Sequence, residues 1–273
     1  MNARNTDSSK SRSQNNKVDA GERGVEDVSS SDCSTLIDPS HHTLSDAPRT
    51  VLIVPALNEE AAIGQTLDRV PKGLYQQILV GDNGSIDRTA EVARTHGATV
   101  VFEPERGYGA ACLRALAAAP DAEIVVFMDA DASDEPAEAP LLLAPILEGR
   151  ADFVIGSRVL GRADPGAIQP HQRFGNRLAT LLLRVIYGHR YTDLGPFRAI
   201  RASSLRELGM RDRNYGWTVE MQIKALRHGL RVIEVPVTYH RRIGVSKVSG
   251  NLKGSVLAGI KIIWLVFRLA FSR

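Results

Sequence analysis

Ile124-Val125-Val126-Phe127-Met128-Asp129-Ala130-Asp131 is a short apolar run that ends in two carboxylates one residue apart. The run reads as a buried strand, and the aspartates stand where burial stops. In open α/β sheets, ligands bind in the crevice outside the carboxyl ends of the strands. Two carboxylates at such an edge repel each other unless a proton or a cation neutralises them. A hard divalent ion, held by carboxylate oxygens and by substrate phosphates, is one solution. The plain alternative is a strand end followed by acidic turn residues. Asp-X-Asp alone does not choose between the two, so the surrounding sequence decides.

Outward from this strand, the chain alternates short β-branched runs with longer helical patterns. Strands are expected at Val51 to Val54, Ile78 to Val80, Thr99 to Phe102, Ile124 to Met128 and Phe153 to Ile155. Helices are expected at Ala61 to Val70, Asp87 to His96, Gly109 to Ala119 and Pro140 to Leu147, with Ser85 or Asp87 as an N-cap and Gly97 as a stop. This alternation predicts an α/β fold, a Rossmann-like, mostly parallel sheet with helices on both faces. After Gly161 the chain is less regular and more basic. Helical patterns at Gln172 to Tyr187 and Thr218 to His228 flank a strand-like piece near Pro196 to Ile200. Arg231 to Tyr239 reads as a strand, and Pro236 suggests an edge position.

The two ends differ from this body. Residues 1–48 are rich in Ser, Asn, Asp and Lys and read as a disordered tail, because they offer little apolar surface to offset ordering entropy. Met1 to Ala20 is polar and has no apolar h-region, so no secretory signal is expected. Residues 49–250 form the expected folded domain, and 251–273 a C-terminal apolar and cationic helix. At ~100° per residue, Lys253, Lys261 and Arg268 fall within roughly an 80° sector. The apolar stretches are shorter than the ~20 residues of a membrane span. Such a helix suits the membrane interface, with its cations reaching headgroups; the alternative is a helix docked on the core or in an oligomer contact. The net charge of +3 is small, and two cysteines among 273 residues rule out a disulfide framework or zinc cluster. No basic patch interleaved with aromatics appears, so nucleic acid is not an expected partner.

Four strand ends in succession carry polar or Gly-rich turns: Pro55-Ala56-Leu57-Asn58-Glu59, Gly81-Asp82-Asn83-Gly84-Ser85, Glu105-Arg106-Gly107-Tyr108-Gly109 and Asp129-Ala130-Asp131. Each alone has an ordinary reading, such as acids favoured by a helix N-terminus. Their order gives them weight. With Gly156-Ser157-Arg158, this series resembles the family 2 glycosyltransferases, which have the GT-A fold and use nucleotide-activated sugars. The resemblance covers about residues 50–250. It is nearest to polyprenyl-phosphate sugar synthases of the dolichyl-phosphate mannose synthase type, through Tyr215-Gly216-Trp217-Thr218-Val219-Glu220-Met221, Glu234-Val235-Pro236-Val237 and Arg242-Ile243-Gly244-Val245-Ser246-Lys247.

The resemblance implies roles. Pro55, Leu57, Glu59 and Asp82 would line the nucleotide pocket. Arg242 and Lys247 would contact donor phosphate, and Arg106, read from its Gly-rich turn, either meets phosphate or holds the loop. Asp129 and Asp131 would hold Mg²⁺ or Mn²⁺, with Ser133 an optional ligand, and Arg158 and Arg173 would hold an acceptor phosphate. The implied activity is inverting, metal-dependent transfer of a sugar from a GDP- or UDP-sugar to a polyprenyl (dolichyl or undecaprenyl) phosphate, by an enzyme peripheral on the cytoplasmic membrane face. A phosphate acceptor is already ionised, which agrees with the lack of an obvious histidine base. Alternatives are a soluble sugar or metabolite as acceptor, or a non-catalytic nucleotide-sugar binder. Two departures stand out: Gly81 precedes Asp82, and Asp193-Leu194-Gly195-Pro196-Phe197-Arg198 is one residue shorter than the family's corresponding stretch. Glu220 reads either as a polar contact near the acceptor or as the i,i+4 partner of Lys224.

Overall fold

The computed structural model describes residues 47–244 and 252–271, with side chains of the last segment described from Gly259 onward. The proposed tail falls outside the described residues except for Ala47 and Pro48, and so does Lys247.

The chain runs β1 (Thr50–Ala56), α1 (Ile63–Asp68), β2 (Gln77–Asp82), α2 (Thr89–Thr95), β3 (Thr99–Phe102), α3 (Tyr108–Ala117), β4 (Ile124–Phe127), α4 (Ala139–Leu147) and β5 (Phe153–Ala163). It continues through α5 (Pro170–Tyr187), β6 (Arg198–Arg201), α6 (Ala202–Leu208), α7 (Trp217–Arg227), β7 (Val232–Tyr239) and α8 (Leu252–Phe271). The strands form one seven-stranded sheet in the order β3-β2-β1-β4-β6-β5-β7. β1 pairs in parallel with β2 and β4, β2 with β3, and β5 with β7, while β6 runs antiparallel to both of its neighbours. The sheet is therefore mostly parallel, as expected, and β7 with its Pro236 is an edge strand.

The near-continuous apolar runs are explained by two cores. Strand side chains alternate between faces, and covering both faces buries both sets. Val51, Ile53, Val125 and Phe127 pack on one face with Cys112 of α3, Leu183 of α5, and Trp217 and Met221 of α7. Leu52, Val54, Val126 and Met128 pack on the other with Ile63 and Leu67 of α1 and Leu142 and Ile146 of α4. Gly81 has a packing reason. A Cβ there would lie 2.6 Å from the Ala111 carbonyl oxygen, so β2 and α3 approach only because it is absent.

β1 leads to β2 and β3 on one side, and the chain then crosses to β4 on the other. This reversal is a topological switch point, where ligands bind in open α/β sheets. Two elements go beyond the sequence reading. β5 continues past Ile155 to Ala163, and α6 is a helix of seven residues.

α8 is seated on the domain. Leu265 and Val266 are buried. The Tyr187 hydroxyl donates to the Val266 carbonyl at 2.9 Å. Lys261 forms an ion pair with Asp212 at 3.2 Å instead of reaching away from the protein. Among the described residues, no helix is long and apolar enough to cross a membrane.

Candidate active site

A cavity of about 320 Å³ opens at the switch point, within the range of small-molecule sites. The end of β1 contributes Pro55, Leu57 and Glu59; β2 leads to Asn83; the turn into α3 brings Arg106 and Tyr108; Asp129 and Asp131 follow β4; and Asn214, Tyr215 and Arg242 complete the wall.

The aspartate turn is tightly held. Ala132 takes φ 61°, a left-handed conformation uncommon for alanine. It folds Ser133 back, so that its amide donates to Asp131 Oδ1 at 3.0 Å and its hydroxyl donates to the same oxygen. Asp131 Oδ2 pairs with Arg242 at 3.1 Å, and Arg242 also reaches Glu59 at 3.0 Å. Asp129 Oδ1 accepts from the Tyr108 hydroxyl at 3.1 Å. Its amide donates to Asp134 at 3.0 Å. Burial, then the neighbouring Asp131, push the Asp129 carboxyl up to about 7. Burial, then Asp129, hold Asp134 well above the carboxylate range, and Asp134 Oδ1 has no hydrogen-bond partner among the described residues.

These observations allow a test of whether a metal ion fits. Among the described residues no group of three or more Asp, Glu, His or Cys is arranged around a common ion position. The protein thus offers an incomplete oxygen set, Asp129 and Asp131, in which Arg242 pairs with Asp131 while burial and Asp131 still push Asp129 up. That set suits a hard ion whose remaining ligands are substrate phosphates and water, so the residues fit Mg²⁺ or Mn²⁺ bound together with a diphosphate.

Of the residues singled out in the sequence, Pro55, Leu57, Glu59, Arg106, Asp129, Asp131 and Arg242 meet at this cavity. Asp82 is buried behind it and accepts from the Ser85 amide at 3.0 Å, leaving its neighbour Asn83 to line the wall. Asn83 braces the next turn, donating to Glu105 at 2.6 Å and accepting from the Gly107 amide at 2.7 Å. Ser133 is fully buried and supports Asp131.

Arg158 and Arg173 are held differently. Arg158 is bound to buried Asp193 through two guanidinium contacts of 2.8 and 2.7 Å, and it lies over the Tyr239 ring. Burial works against its charge, but Asp193 outweighs burial and keeps it firmly protonated. Glu234 then holds the Thr192 and Asp193 amides, at 2.8 and 3.1 Å. Arg173 is exposed on α5. Glu220 pairs with Lys224 at 2.8 Å and accepts the Asp212 amide at 2.6 Å, so it braces a loop.

Sequence reasoning missed Tyr108, Asn83, Asn214 and Asp134 as site residues. Tyr108 and Asn83 were visible as members of the quoted turns; their signal was position at a strand end. Asn214 comes from a loop pressed onto the turn before α3. The carbonyls of Asp212 and Arg213 sit 2.0 Å from where Cβ atoms on Gly109 and Gly107 would be, so only glycines admit this contact.

Comparison with known proteins agrees with this geometry. Residues 51–209 match the model of Glycosyl transferase family 2. An uncharacterized glycosyltransferase of Mycobacterium tuberculosis is 39% identical over 209 residues, covering 76% of this chain and 93% of its own. The undecaprenyl-phosphate mannosyltransferase of Micrococcus luteus is 30% identical over 226 residues, covering 78% and 92%. Among solved structures, glucosyl-3-phosphoglycerate synthase from Mycobacterium tuberculosis, in complex with Mn²⁺, UDP and phosphoglyceric acid, is similar with a TM-score of 0.66 and 26% identity, covering 83% of this chain and 80% of that one. The sheet, the aspartate turn at its switch point and these relatives agree: the chain is a glycosyltransferase of GT-A fold and belongs to family 2.

Proposed function

We propose that the enzyme transfers a sugar from a nucleotide-sugar donor to a polyprenyl phosphate at a membrane surface. The observation that carries the donor half is the meeting of Glu59, Arg106, Asp129, Asp131 and Arg242 in one cavity at the switch point. Pro55 and Leu57 offer an apolar shelf for a nucleotide base, beside polar Asn83. As the sugar departs, negative charge grows on the diphosphate. Fixed cations aimed at that charge lower the barrier. Arg106 and Arg242 are placed to act in this way, and Lys247 follows in the same segment as Arg242. Arg242 would exchange its bonds to Glu59 and Asp131 for donor phosphate oxygens. A Mg²⁺ or Mn²⁺ ion on Asp129 and Asp131 would supply Lewis-acid stabilisation of the leaving diphosphate. Among the described residues no histidine lines the cavity, and an ionised phosphate acceptor needs no general base. Direct attack by that acceptor on the sugar carbon inverts its configuration.

The lipid acceptor rests on the motif likeness and on relatives such as the undecaprenyl-phosphate mannosyltransferase of Micrococcus luteus. A soluble phosphorylated acceptor is the second reading, favoured by the phosphoglyceric acid complex of the similar synthase. A screen of GDP- and UDP-sugars against a short polyprenyl phosphate and against 3-phosphoglycerate, read by mass spectrometry, separates them. Sugar appearing on the lipid phosphate supports the first reading. Transfer confined to phosphoglycerate sinks it.

A further inference from the structure

From the geometry of α5 and α8 together we infer that the protein docks on anionic lipid through a two-helix face in which α5 is an equal partner. This deepens the lipid-acceptor reading above and rests on it. Large apolar side chains stand outside the core at Phe174, Leu181 and Val185 of α5, with Val185 73% exposed. They stand out likewise at Ile260, Trp264, Phe267 and Phe271 of α8, with Phe271 85% exposed. Both sets follow the spacing i, i+7, i+11, and α8 adds i+4. At ~100° per residue the α5 set occupies a stripe of roughly 40° and the α8 set one of roughly 60°. On the other side of each helix the core residues are buried: Ala179 and Leu183 of α5, Leu265 and Val266 of α8. The two helices pack against each other, joined by the Tyr187 hydroxyl donating to the Val266 carbonyl at 2.9 Å. Both stripes stand exposed, opposite the core-facing residues of two helices that touch.

The charge pattern selects the occupant. Neither helix contains an Asp or a Glu. Arg173, Arg177 and Arg184 form one row along the flank of the α5 stripe, and all three are exposed. Among the described residues none of them makes an ion pair with a carboxylate. Arg268 lies against the Trp264 ring at 4.9 Å. A second copy of this face would bring arginine rows against each other, which disfavours a dimer. An apolar stripe flanked by arginines fits a bilayer interface, where side chains enter the acyl boundary and cations meet anionic headgroups. Only part of this pattern is readable from a single helix. Lys261, which looks like a headgroup cation in α8 alone, is bound to Asp212, and the α5 arginines supply the missing charge.

The test is flotation of the full chain with phosphatidylcholine vesicles, with and without phosphatidylglycerol. The comparison set is Leu181→Ser/Val185→Ser, Arg177→Glu/Arg184→Glu and, on α8, Trp264→Ser/Phe267→Ser. UDP binding in Mn²⁺ checks that each variant is folded. The expected result is preferential binding of the unaltered chain to anionic vesicles. The α5 apolar pair should lower partitioning about as much as the α8 pair. The arginine reversals should remove the anionic preference, by at least ~5-fold for each cation lost. Partitioning of both α5 variants equal to that of the unaltered chain would overturn the inference. So would a dimer that Leu181→Ser/Val185→Ser splits without changing vesicle binding. Transfer only to a soluble phosphate, with α5-dependent vesicle binding intact, would remove the acceptor reading and uphold the surface. Transfer to polyprenyl phosphate in detergent without α5-dependent vesicle binding would do the reverse.

Discussion

At the cavity, Asp131 divides its carboxylate between Ser133 and Arg242; on α5, Arg173, Arg177 and Arg184 face outward with no carboxylate partner among the described residues. The donor edge is pre-organised, with Asp129, Asp131, Glu59 and Arg242 each held by another group that a ligand would have to exchange. The helical face keeps its charges unspent and has no cavity of its own. Between the two lies the Arg158–Asp193 pair, which has the charge expected of an acceptor site but the wiring of a structural clamp. Under the proposed function, donor recognition is built into the strand ends, whereas acceptor recognition depends on how the enzyme meets its surroundings.

This contrast can be broken most directly at the clamp. Removing one partner of a buried ion pair leaves an uncompensated charge and costs about 3–5 kcal/mol. Asp193→Ala should therefore lower the melting temperature by roughly 10 °C, as read by calorimetry. An unchanged melting temperature would mean that Arg158 is free for a ligand, and the division between clamp and site would fail. At the donor edge the expected pattern is opposite. Asp131→Ala should reduce transfer by about 10²–10³-fold, the scale of losing one preorganised electrostatic contact, with a smaller drop in melting temperature than Asp193→Ala, because relief of the repulsion with Asp129 offsets the lost Arg242 and Ser133 contacts; initial rates at saturating metal and calorimetry measure this.

Tyr108→Phe sharpens the same point at smaller scale. It removes one hydrogen bond to Asp129, worth about 1 kcal/mol, so a loss of roughly five-fold in kcat/KM is expected. No loss would show that Asp129 does not need its brace. The smallest effect should come from the opposite end of β5. Hydrogen bonds from Arg231 hold the Asp152 carboxyl below its ordinary value of 3.8. The unaltered chain's stability margin over Asp152→Asn should be complete above that value. It should disappear as the pH falls through the lower folded value, with transfer at neutral pH unaffected. Melting curves from neutral to acid pH test the sign.

The sequence disclosed the donor edge well because each of its parts is local. A strand, a polar turn and a helix start lie within ten residues, and four repeats of that order imply one ligand edge. The aspartate pair and Glu59 met at the cavity as that logic expected, whereas Arg242, which joins them there, was expected only from the family resemblance. What stayed hidden depends on distant pairing. Nothing near Arg158 reveals that Asp193, 35 positions away, will take its guanidinium. Nothing near Lys261 reveals Asp212. Asp82 was legible as a strand-end acid, but the Ser85 amide holds it behind the wall. Helix α6 is too short for its periodicity to stand out, and the glycine-containing extension of β5 has no strand-like composition.

The seat of α8 has a practical consequence for anyone trimming the protein to make it easier to handle. Leu265 of that helix lies against the position where Gly216 would carry a side chain, and Lys261 neutralises Asp212. Asp212 in turn holds the Asn214 and Gly216 amides, at 2.8 and 3.0 Å, in the loop that supplies Asn214 and Tyr215 to the nucleotide cavity. A chain ending before Leu252 would leave a bare apolar socket and a carboxylate without its cation beside the cavity wall. The shortened enzyme should bind nucleotide more weakly than the full chain even in a test tube free of lipid.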